Sequence, residues 1–474
     1  MEKNNRKERF VGAPVKAGVL YIVGQVVGQA VVLLSTPLFT RMMSTEDWGI
    51  VNTYAAWALI VNAVIGLNLH ISVRNAFTDM RDQVDEFSSS VLCLSLLAFA
   101  IISALILAVV NLVGAQEYRL LAFFLVIHAY SQFVVNFYSA KLAMEFGYKM
   151  RTFLLIGPNM LHTLLSLLFV LYLPWEKYNS KVFGNMLGYL VFGIFSFAVI
   201  YLRGRTAFRW DYWKYALAIS IPAIGYSLAD LVLMQCDRIM ITAFDGASAT
   251  AIYSTAHNIG SILWIISTGT GSAWMPWFYR QMDKGDTQKI QPAANYYMAL
   301  LTIMALGLVM ISPELLMLLT PSEYWSGKTY MAPFVIMSYL MFLYSFPMNL
   351  EFYYKKTKLI AWNTFVTSAV NLVLNYIFIR RFGAVAAAYT TMVSYALLFA
   401  MQWRGAKKLA PGLFKLFPFL LSTAVVCAGG VLYMYICDLW PIRYGFCVVM
   451  VLGAGIYVWK NKDTFLNMLQ DTSE

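Results

Sequence analysis

Apolar runs of about 20 residues recur from one end of this 474-residue chain to the other, and they set the limits on its fold. In a helix, a run of that length crosses the roughly 30 Å hydrocarbon core of a bilayer. Inside the hydrocarbon, backbone groups can hydrogen-bond only to one another, so spanning segments are helices or strands of a closed barrel. The runs lack the alternation of polar and apolar residues that marks barrel strands. They therefore predict an all-α polytopic membrane protein.

The runs divide into fourteen predicted spans, and no connection between them is long enough for a separate soluble domain. The composition agrees, because 12% of the residues are charged, about half the share found in soluble domains. The spans are predicted at 16–40, 48–70, 88–114, 119–140, 152–174, 183–202, 214–243, 250–278, 293–319, 329–352, 358–379, 384–403, 416–437 and 441–459.

The basic residues are shared unevenly between the two sides that this topology defines. With the N-terminus inside, 26 of the 35 Lys and Arg residues lie in inner segments and 9 in outer segments. Cytoplasmic loops of membrane proteins carry this excess. The split predicts that both termini are cytoplasmic, and it explains the net charge of +11 without a nucleic-acid partner.

A short pattern at the end of one apolar run and the start of the next occurs twice, six spans apart. An even number of spans makes the two copies face the same way, as in repeats related by an axis along the membrane normal. We predict a six-helix bundle at 1–210, a second at 211–410, and two further spans with a cytoplasmic tail at 411–474. The paired residues, at offsets of 197 and then 199, are Arg41/Arg238, Met43/Met240, Thr45/Thr242, Gly49/Gly246 and Tyr54/Tyr253.

Three segments carry a resemblance to a known family. DRIMITAFDGASATAIYSTA from Asp237, residues 352–396 and residues 37–57 resemble bacterial polysaccharide flippases of the multidrug/oligosaccharidyl-lipid/polysaccharide exporter superfamily. The likeness covers most of the first twelve spans. It implies translocation of an undecaprenyl-(pyro)phosphate-linked oligosaccharide by alternating access in the bacterial cytoplasmic membrane. It also implies polysaccharide polymerase and glycosyltransferases as functional partners.

Two acidic residues on the seventh span are candidates for ion coupling. Asp230 and Asp237 are seven residues apart, about 10 Å along one helix face. Ionisable groups inside a membrane are costly and are usually retained for function. Asp230 could instead form a structural hydrogen bond between helices, and Asp237 could pair with Arg238 or a lipid headgroup at the interface.

Three arginines are candidates for the phosphate groups of the substrate. Arg41 and Arg238 occupy corresponding places in the repeat, and a guanidinium binds phosphate through two parallel hydrogen bonds. Arg74, like Arg280, lies near the inner end of a span, where it could meet a lipid phosphate. The alternatives are snorkelling to the interface for the first pair and ordinary inner-side charge for the second.

Asn371 and Asn375 lie four residues apart on one helix face and are further candidates for substrate binding. Polar side chains in this position more often link spans by hydrogen bonds, and the sequence favours that role.

Metal and cofactor chemistry are not expected. The four histidines are scattered, without the spacing of metal ligands, and no phosphate-binding glycine-rich loop is present. Uphill transport would therefore use an H+ or Na+ gradient or the membrane potential. Three competing interpretations remain. They are a drug or cation exporter of the same superfamily, a membrane polymerase or glycosyltransferase acting on the same lipid, and a non-transporting scaffold, against which the ionisable residues inside spans argue. An exporter favours an acidic cavity, whereas a polymerase needs a sizeable extramembrane loop.

Overall fold

The computed structural model describes residues 33–460, with residues 24, 27, 28 and 31 before them. Helices make up almost all of this part of the chain, and no strand occurs in it. The all-α prediction is confirmed. Eleven of the described helical segments are long and apolar enough to cross a membrane.

The described part of the first half contains the end of one α-helix and seven complete ones. The helical residues 33–42 are the described end of α1. The helices that follow are α2 (Thr45–Ile65), α3 (His70–Asp79), α4 (Val84–Leu112), α5 (Arg119–Met144), α6 (Tyr148–Tyr172), α7 (Lys177–Gly204) and α8 (Trp210–Asp245).

The described part of the second half contains eight α-helices. They are α9 (Ala247–Gly260), α10 (Ile262–Lys284), α11 (Ile290–Leu319), α12 (Met331–Tyr353), α13 (Thr357–Phe382), α14 (Ala384–Leu409), α15 (Leu416–Ile436) and α16 (Trp440–Lys460). The predicted first span falls largely on residues outside the described part, and the fourteenth corresponds to α16, which is apolar over Trp440–Gly453.

The described chain falls into two compact units, one running up to Ile239 and the other starting at Met240. The boundary lies inside α8, two turns before that helix ends. The division into bundles at 1–210, 211–410 and 411–474 stays a prediction.

In the first unit α5 is the central helix, and it packs against α2, α3, α4, α6 and α7. Its phenylalanines Phe133 and Phe137 are almost fully buried. The α2–α3 bend passes directly over Phe133, where a side chain at Gly66 would collide with the ring.

The α6–α7 pair approaches unusually closely because two glycines of α7 face the α6 backbone. A Cβ at Gly184 would lie 2.5 Å from Ser166 Cα, and one at Gly188 would lie 2.5 Å from His162 Cα. Small residues four apart allow this close packing of helices in membranes. The approach brings the polar side chains of α6 and α7 together inside the unit.

In the second unit α12 is the central helix, in contact with α9, α10, α11, α13, α14 and α15. Its most apolar stretch is 83% buried, which suits a helix that is hydrophobic on all sides. Rings from α10, α11, α15 and the α14–α15 connection pack around Phe346, which contacts Trp274, Tyr297, Phe414 and Phe419 at centroid separations of 5.0–6.0 Å.

The predicted span 250–278 is divided into α9 and α10 by a break at Ser261. Gly260 leaves room for Phe334 of α12, because a Cβ at this position would collide with the Phe334 side chain. The Gly260 carbonyl accepts a hydrogen bond from Ser338 Oγ at 3.0 Å. A neighbouring helix thus satisfies a backbone group at the break, as the bilayer interior requires.

Candidate functional sites

The C-terminal half of α8 carries the predicted coupling acids on one helix face. Asp237 is 3% exposed and Asp230 is half-buried. Arg238 is also half-buried, and its guanidinium donates a hydrogen bond to Gln235 Oε1 within the same helix. Pro222 lies inside α8, eight residues before Asp230.

The helix that follows the break after each copy of the repeat begins in a different way, with a serine cap in the first copy and a glycine in the second. Ser44 caps α2, accepting a hydrogen bond from the Asp47 backbone N–H at 3.1 Å and donating to Asp47 Oδ2 at 2.7 Å. Gly246 precedes α9 with φ of 93°, a conformation that favours glycine.

The two arginines of the repeat stand at different distances from these breaks. Arg41 precedes the Ser44 cap by three residues, whereas Arg238 precedes Gly246 by eight. Thr45 therefore begins a helix, while Thr242 is still inside α8 and shares a 2.6 Å hydrogen bond with Thr250. The sequence offset of 197 does not align the two breaks, because α8 continues more than one turn further.

Apart from Arg238, the arginines considered for phosphate binding lie at the surface of their units. Arg41, at the end of α1, is exposed, and so are Arg74 on α3 and Arg280 on α10. Exposed guanidinium groups can reach a ligand without first breaking buried contacts. The substrate role of Arg41, Arg238 and Arg74 stays a prediction.

Asn371 and Asn375 lie in a hydrogen-bond network between α13 and α14, and both are fully buried. Asn371 Nδ2 donates to Thr391 Oγ1 and Ser394 Oγ, each at 3.2 Å. Asn375 Nδ2 donates to Asn371 Oδ1 at 3.1 Å, and Thr390 donates to Asn375 Oδ1. The network links the two helices, and a role of the asparagines in substrate binding stays a prediction.

The first unit contains a buried polar cluster around Lys181 that sequence reasoning missed. Lys181, on α7, is 5% exposed, and its Nζ donates to Asn185 Oδ1 at 3.0 Å. The ammonium also lies 3.9 Å from the centre of the Phe39 ring. Among the described residues, no carboxylate forms an ion pair with it.

Two histidines extend the cluster across the first unit. Tyr54 OH lies 3.1 Å from His128 Nδ1, and the rings of His128 and His162 lie 5.0 and 5.7 Å from that of Tyr189. Within the described chain, His128 Nε2 and His162 Nδ1 have no hydrogen-bond partner. The sequence signal for this cluster is the spacing of Gly184 and Gly188, because small residues four apart indicate close helix packing, although they do not indicate which polar groups are enclosed.

Each unit also holds an ion pair with a buried cation. In the first, Lys141 is 1% exposed and contacts Asp85 Oδ1 at 2.6 Å and the Glu145 carboxylate. In the second, Arg443 is 3% exposed and donates two hydrogen bonds, of 2.7 and 2.5 Å, to the Glu314 carboxylate. Both pairs join separate helices, α5 to α4 and α16 to α11.

The described residues contain no cluster of three or more His, Cys, Asp or Glu side chains with the geometry of a metal site. The second unit has a cavity of about 470 Å³ between α11, α15 and α16. Its lining is mostly apolar and includes Met298, Ile303, Leu421 and Val425.

Comparison with known sequences places the chain in a family. The family model described as "Polysaccharide biosynthesis protein" matches residues 15–282, more than half of the chain. An Lsg locus protein of Haemophilus influenzae is 20% identical over 73% of this chain and 86% of its own length. A probable low-salt glycan biosynthesis flippase of Haloferax volcanii is 24% identical over 40% of this chain and 39% of its own length.

Comparison with solved structures identifies the fold. The lipid II flippase MurJ, in an inward closed conformation, matches with a TM-score of 0.69 at 14% identity, covering 96% of this chain and 99% of MurJ. An inward-facing multidrug resistance MATE transporter of the MOP superfamily matches with a TM-score of 0.60 at 14% identity, covering 83% and 98%. The chain is a multi-pass membrane protein that belongs to the polysaccharide biosynthesis protein family and has the fold of the MOP superfamily.

Proposed function

We propose that this protein is a flippase that carries an undecaprenyl-(pyro)phosphate-linked oligosaccharide from the inner to the outer leaflet of the bacterial cytoplasmic membrane. The observation that carries the proposal is the family match, which extends over residues 15–282. The MurJ-like fold is consistent with it, but drug transporters share that fold, so the fold alone does not choose the substrate.

The chemistry of the substrate sets three requirements. A (pyro)phosphate needs cationic donors, a sugar headgroup needs a polar route through roughly 30 Å of hydrocarbon, and the isoprenoid tail needs an apolar surface. Arg41, Arg238 and Arg74 are the proposed donors. The apolar cavity between α11, α15 and α16 could accommodate part of the tail.

Transport by alternating access would expose these groups first to the cytoplasm and then to the outside. In this mechanism the arginines attract the phosphate without breaking a covalent bond, and the protein acts as a transporter and not as an enzyme. We expect no cofactor, and we expect polysaccharide polymerase and glycosyltransferases to supply and consume the lipid-linked glycan.

The proposed substrate is tested by replacing the arginines that we propose bind its phosphate groups. Arg41→Ala and Arg238→Ala should each lower glycan export about 10- to 100-fold, because a charge-assisted hydrogen bond contributes about 1.5–3 kcal/mol. Lysine at either position should restore only part of the export, since the planar fork is lost. Export is measured in a deletion strain, together with membrane protein level.

Arg119→Ala is the matched control, because Arg119 is exposed at the start of α5. If both alanine variants export normally while a mass spectrum of lipid intermediates shows no accumulation, the phosphate-clamp proposal fails. A cation exporter would instead lose drug efflux in a resistance assay with the same variants.

The orientation of the chain is tested by cysteine labelling in a variant whose five native cysteines are replaced. Single cysteines at Glu117 and Glu323 should react with an impermeant reagent added outside. Cysteines at Lys149, Lys284 and Lys407 should react only after the membrane is opened. All five positions are exposed in their unit, so poor access within the fold cannot mimic protection.

Asp230 is our proposed coupling acid, with Asp237 the second candidate. Asp230→Asn keeps the shape and the hydrogen-bonding capacity of the side chain but cannot titrate. We expect this variant to reach the membrane and to lose flipping driven by an H+ or Na+ gradient in proteoliposomes. Unchanged gradient dependence would leave Asp230 with a structural role only.

A further inference from the structure

The second unit buries a carboxyl group whose side-chain contacts in the described structure are neutral amides. Glu351 lies on α12, two residues before the helix ends, and is 0% exposed. No Lys, Arg or His of the described residues forms an ion pair with it. An ionised carboxylate in such a place costs several kcal/mol unless a cation offsets it.

The hydrogen-bond geometry around Glu351 fits a neutral acid. Gln402 Oε1, on α14, lies 2.5 Å from Glu351 Oε2 and accepts a hydrogen bond from Asn363 Nδ2 at 2.8 Å. Two oxygens at 2.5 Å are separated by the length of a strong O–H···O bond, which needs a proton between them. A protonated Glu351 supplies that proton, and Gln402 Oε1 then accepts hydrogen bonds from both Glu351 and Asn363.

The ionised alternative is less favourable on two counts. Turning the Gln402 amide over would direct its NH2 group at the carboxylate, but the nitrogen would then face Asn363 Nδ2 at 2.8 Å, so Asn363 would have to turn as well. Even then, a full negative charge on a side chain that is 0% exposed would be balanced only by neutral amides. Gly405 leaves just enough space for the carboxyl, because a Cβ there would collide with Glu351 Oε1.

We propose that Glu351 is a proton-binding site of this protein, occupied in the arrangement described, with Gln402 and Asn363 as positioning residues. Loss of the proton would put two oxygens in repulsive contact at 2.5 Å. The α12–α14 contact would then have to open or admit a cation. The site therefore links proton binding to the packing of two helices, and its use in driving transport rests on the proposed flippase function.

The proton has a short route to water. The carboxyl sits near the ends of α12 and α14 and the start of α13, and the residues just after α12 are exposed. The charged side chains on the neighbouring turns of α10, α13, α14 and the adjoining connections are all exposed and form no ion pair with Glu351. They are Arg280, Asp283, Lys284, Lys355, Lys356, Lys358, Arg404, Lys407, Lys408 and Lys415. Their mostly positive field favours release of the proton once the contact opens.

The first test is spectroscopic and does not depend on the substrate. Infrared difference spectra of the purified full chain in detergent, wild type minus Glu351→Gln, should show the C=O stretch of a protonated carboxyl at pH 7. This band should disappear as the pH is raised. Glu323→Gln, at an exposed position, is the control and should leave the band in place. Absence of the band at every pH where the protein stays folded would overturn the proposal.

Thermal unfolding provides a second readout, because glutamine has the shape of the protonated acid and can donate to Gln402 Oε1. Glu351→Gln should keep the melting temperature of the wild type, whereas Gln402→Leu should lower it and weaken the infrared shift of the Glu351 band. A large loss of stability in Glu351→Gln would mean that the carboxylate is ionised and would contradict the site.

Transport separates this proposal from the proposed function. In proteoliposomes, Glu351→Gln should lose the acceleration that an imposed pH gradient gives to flipping, while Glu323→Gln keeps it. If no variant flips the lipid-linked glycan, wild type included, the function is wrong and the infrared band still decides the proton site. If Glu351→Gln retains the full response to the gradient, Glu351 takes no part in coupling, whatever the role of Asp230.

Discussion

The two units bury ionisable groups in similar ways, except that the group without an ion-pair partner is a base in the first unit and an acid in the second. Each buries a cation in an ion pair, Lys141 in the first unit and Arg443 in the second. Each also buries an ionisable group among neutral partners, which is the base Lys181 in the first unit and the acid Glu351 in the second.

The contrast separates two uses of charge inside a membrane protein. A paired cation keeps its charge in every state, so it fixes helices to each other. A group that has only amides, hydroxyls and rings around it can change protonation without leaving an opposite charge stranded. The comparison predicts that removing charge from the paired groups destabilises the protein, while removing it from the others does not.

The largest loss of stability is expected for Arg443→Met. The change leaves Glu314 without its partner and removes a donor from the Met310 carbonyl. We expect a loss of about 2–3 kcal/mol, less than for a fully buried pair because Glu314 is one-third exposed. Thermal melting in detergent measures it, and Arg443→Lys should recover only part. A melting temperature equal to that of the wild type would show that the ion-paired cation of the second unit does not stabilise the fold.

A smaller loss, about 1–2 kcal/mol, is expected for Lys141→Met in the first unit. Both acids that lose their partner retain some contact with solvent, since the side chains of Asp85 and Glu145 are 53% and 27% exposed. The same melting assay applies, and Asp85→Asn should lower stability less than Lys141→Met does. An increase in stability in Lys141→Met would show that this buried ion pair destabilises the fold.

For Lys181→Met we expect a change of less than about 1 kcal/mol in either direction. Replacing a buried charge with an apolar side chain of similar volume is often neutral or stabilising. Asn185 Oδ1 would still accept from Ser166 Oγ at 3.1 Å, so no buried acceptor is stranded. A loss as large as that of Lys141→Met would mean that the ammonium has a structural role like that of the paired cations.

The smallest effect concerns the exposed pair of Lys328 and Asp438, joined at 2.7 Å. The hydrogen bond from the Lys328 ammonium lowers the pKa of Asp438 below its usual value. A depressed carboxyl pKa stabilises the fold above the unfolded value of about 3.9 and ceases to do so as the pH falls through the folded value. The small difference in melting temperature between wild type and Lys328→Met should therefore be present at pH 7 and vanish in acid. A difference that persists in acid would point to packing as its cause.

The spans could be predicted from the sequence because apolar length is a local property. The same holds for the shared face of Asn371 and Asn375, which follows from helical spacing. The break at Ser261 could not be predicted, since it depends on Phe334, more than 70 residues away, occupying the space beside Gly260.

The buried charges were missed for the same reason. Lys181 is one of the nine basic residues that the charge count assigns to outer segments, and its burial depends on Phe39 and on the glycines that bring α6 close to α7. Glu351 has its partner on α14, 51 residues further on. Contacts between residues far apart in the sequence decide which polar residue of an apolar run is buried. A hydropathy pattern does not contain that information.

The contact at the α9–α10 break implies that some positions in this protein evolve together. The volume that Gly260 leaves empty is filled by Phe334, and the carbonyl exposed there is held by Ser338 one turn further along α12. Alanine at 260 should be tolerated only when residue 334 becomes smaller in the same molecule. A deep mutational library that scores pairs of substitutions would then show strong epistasis between these two helices.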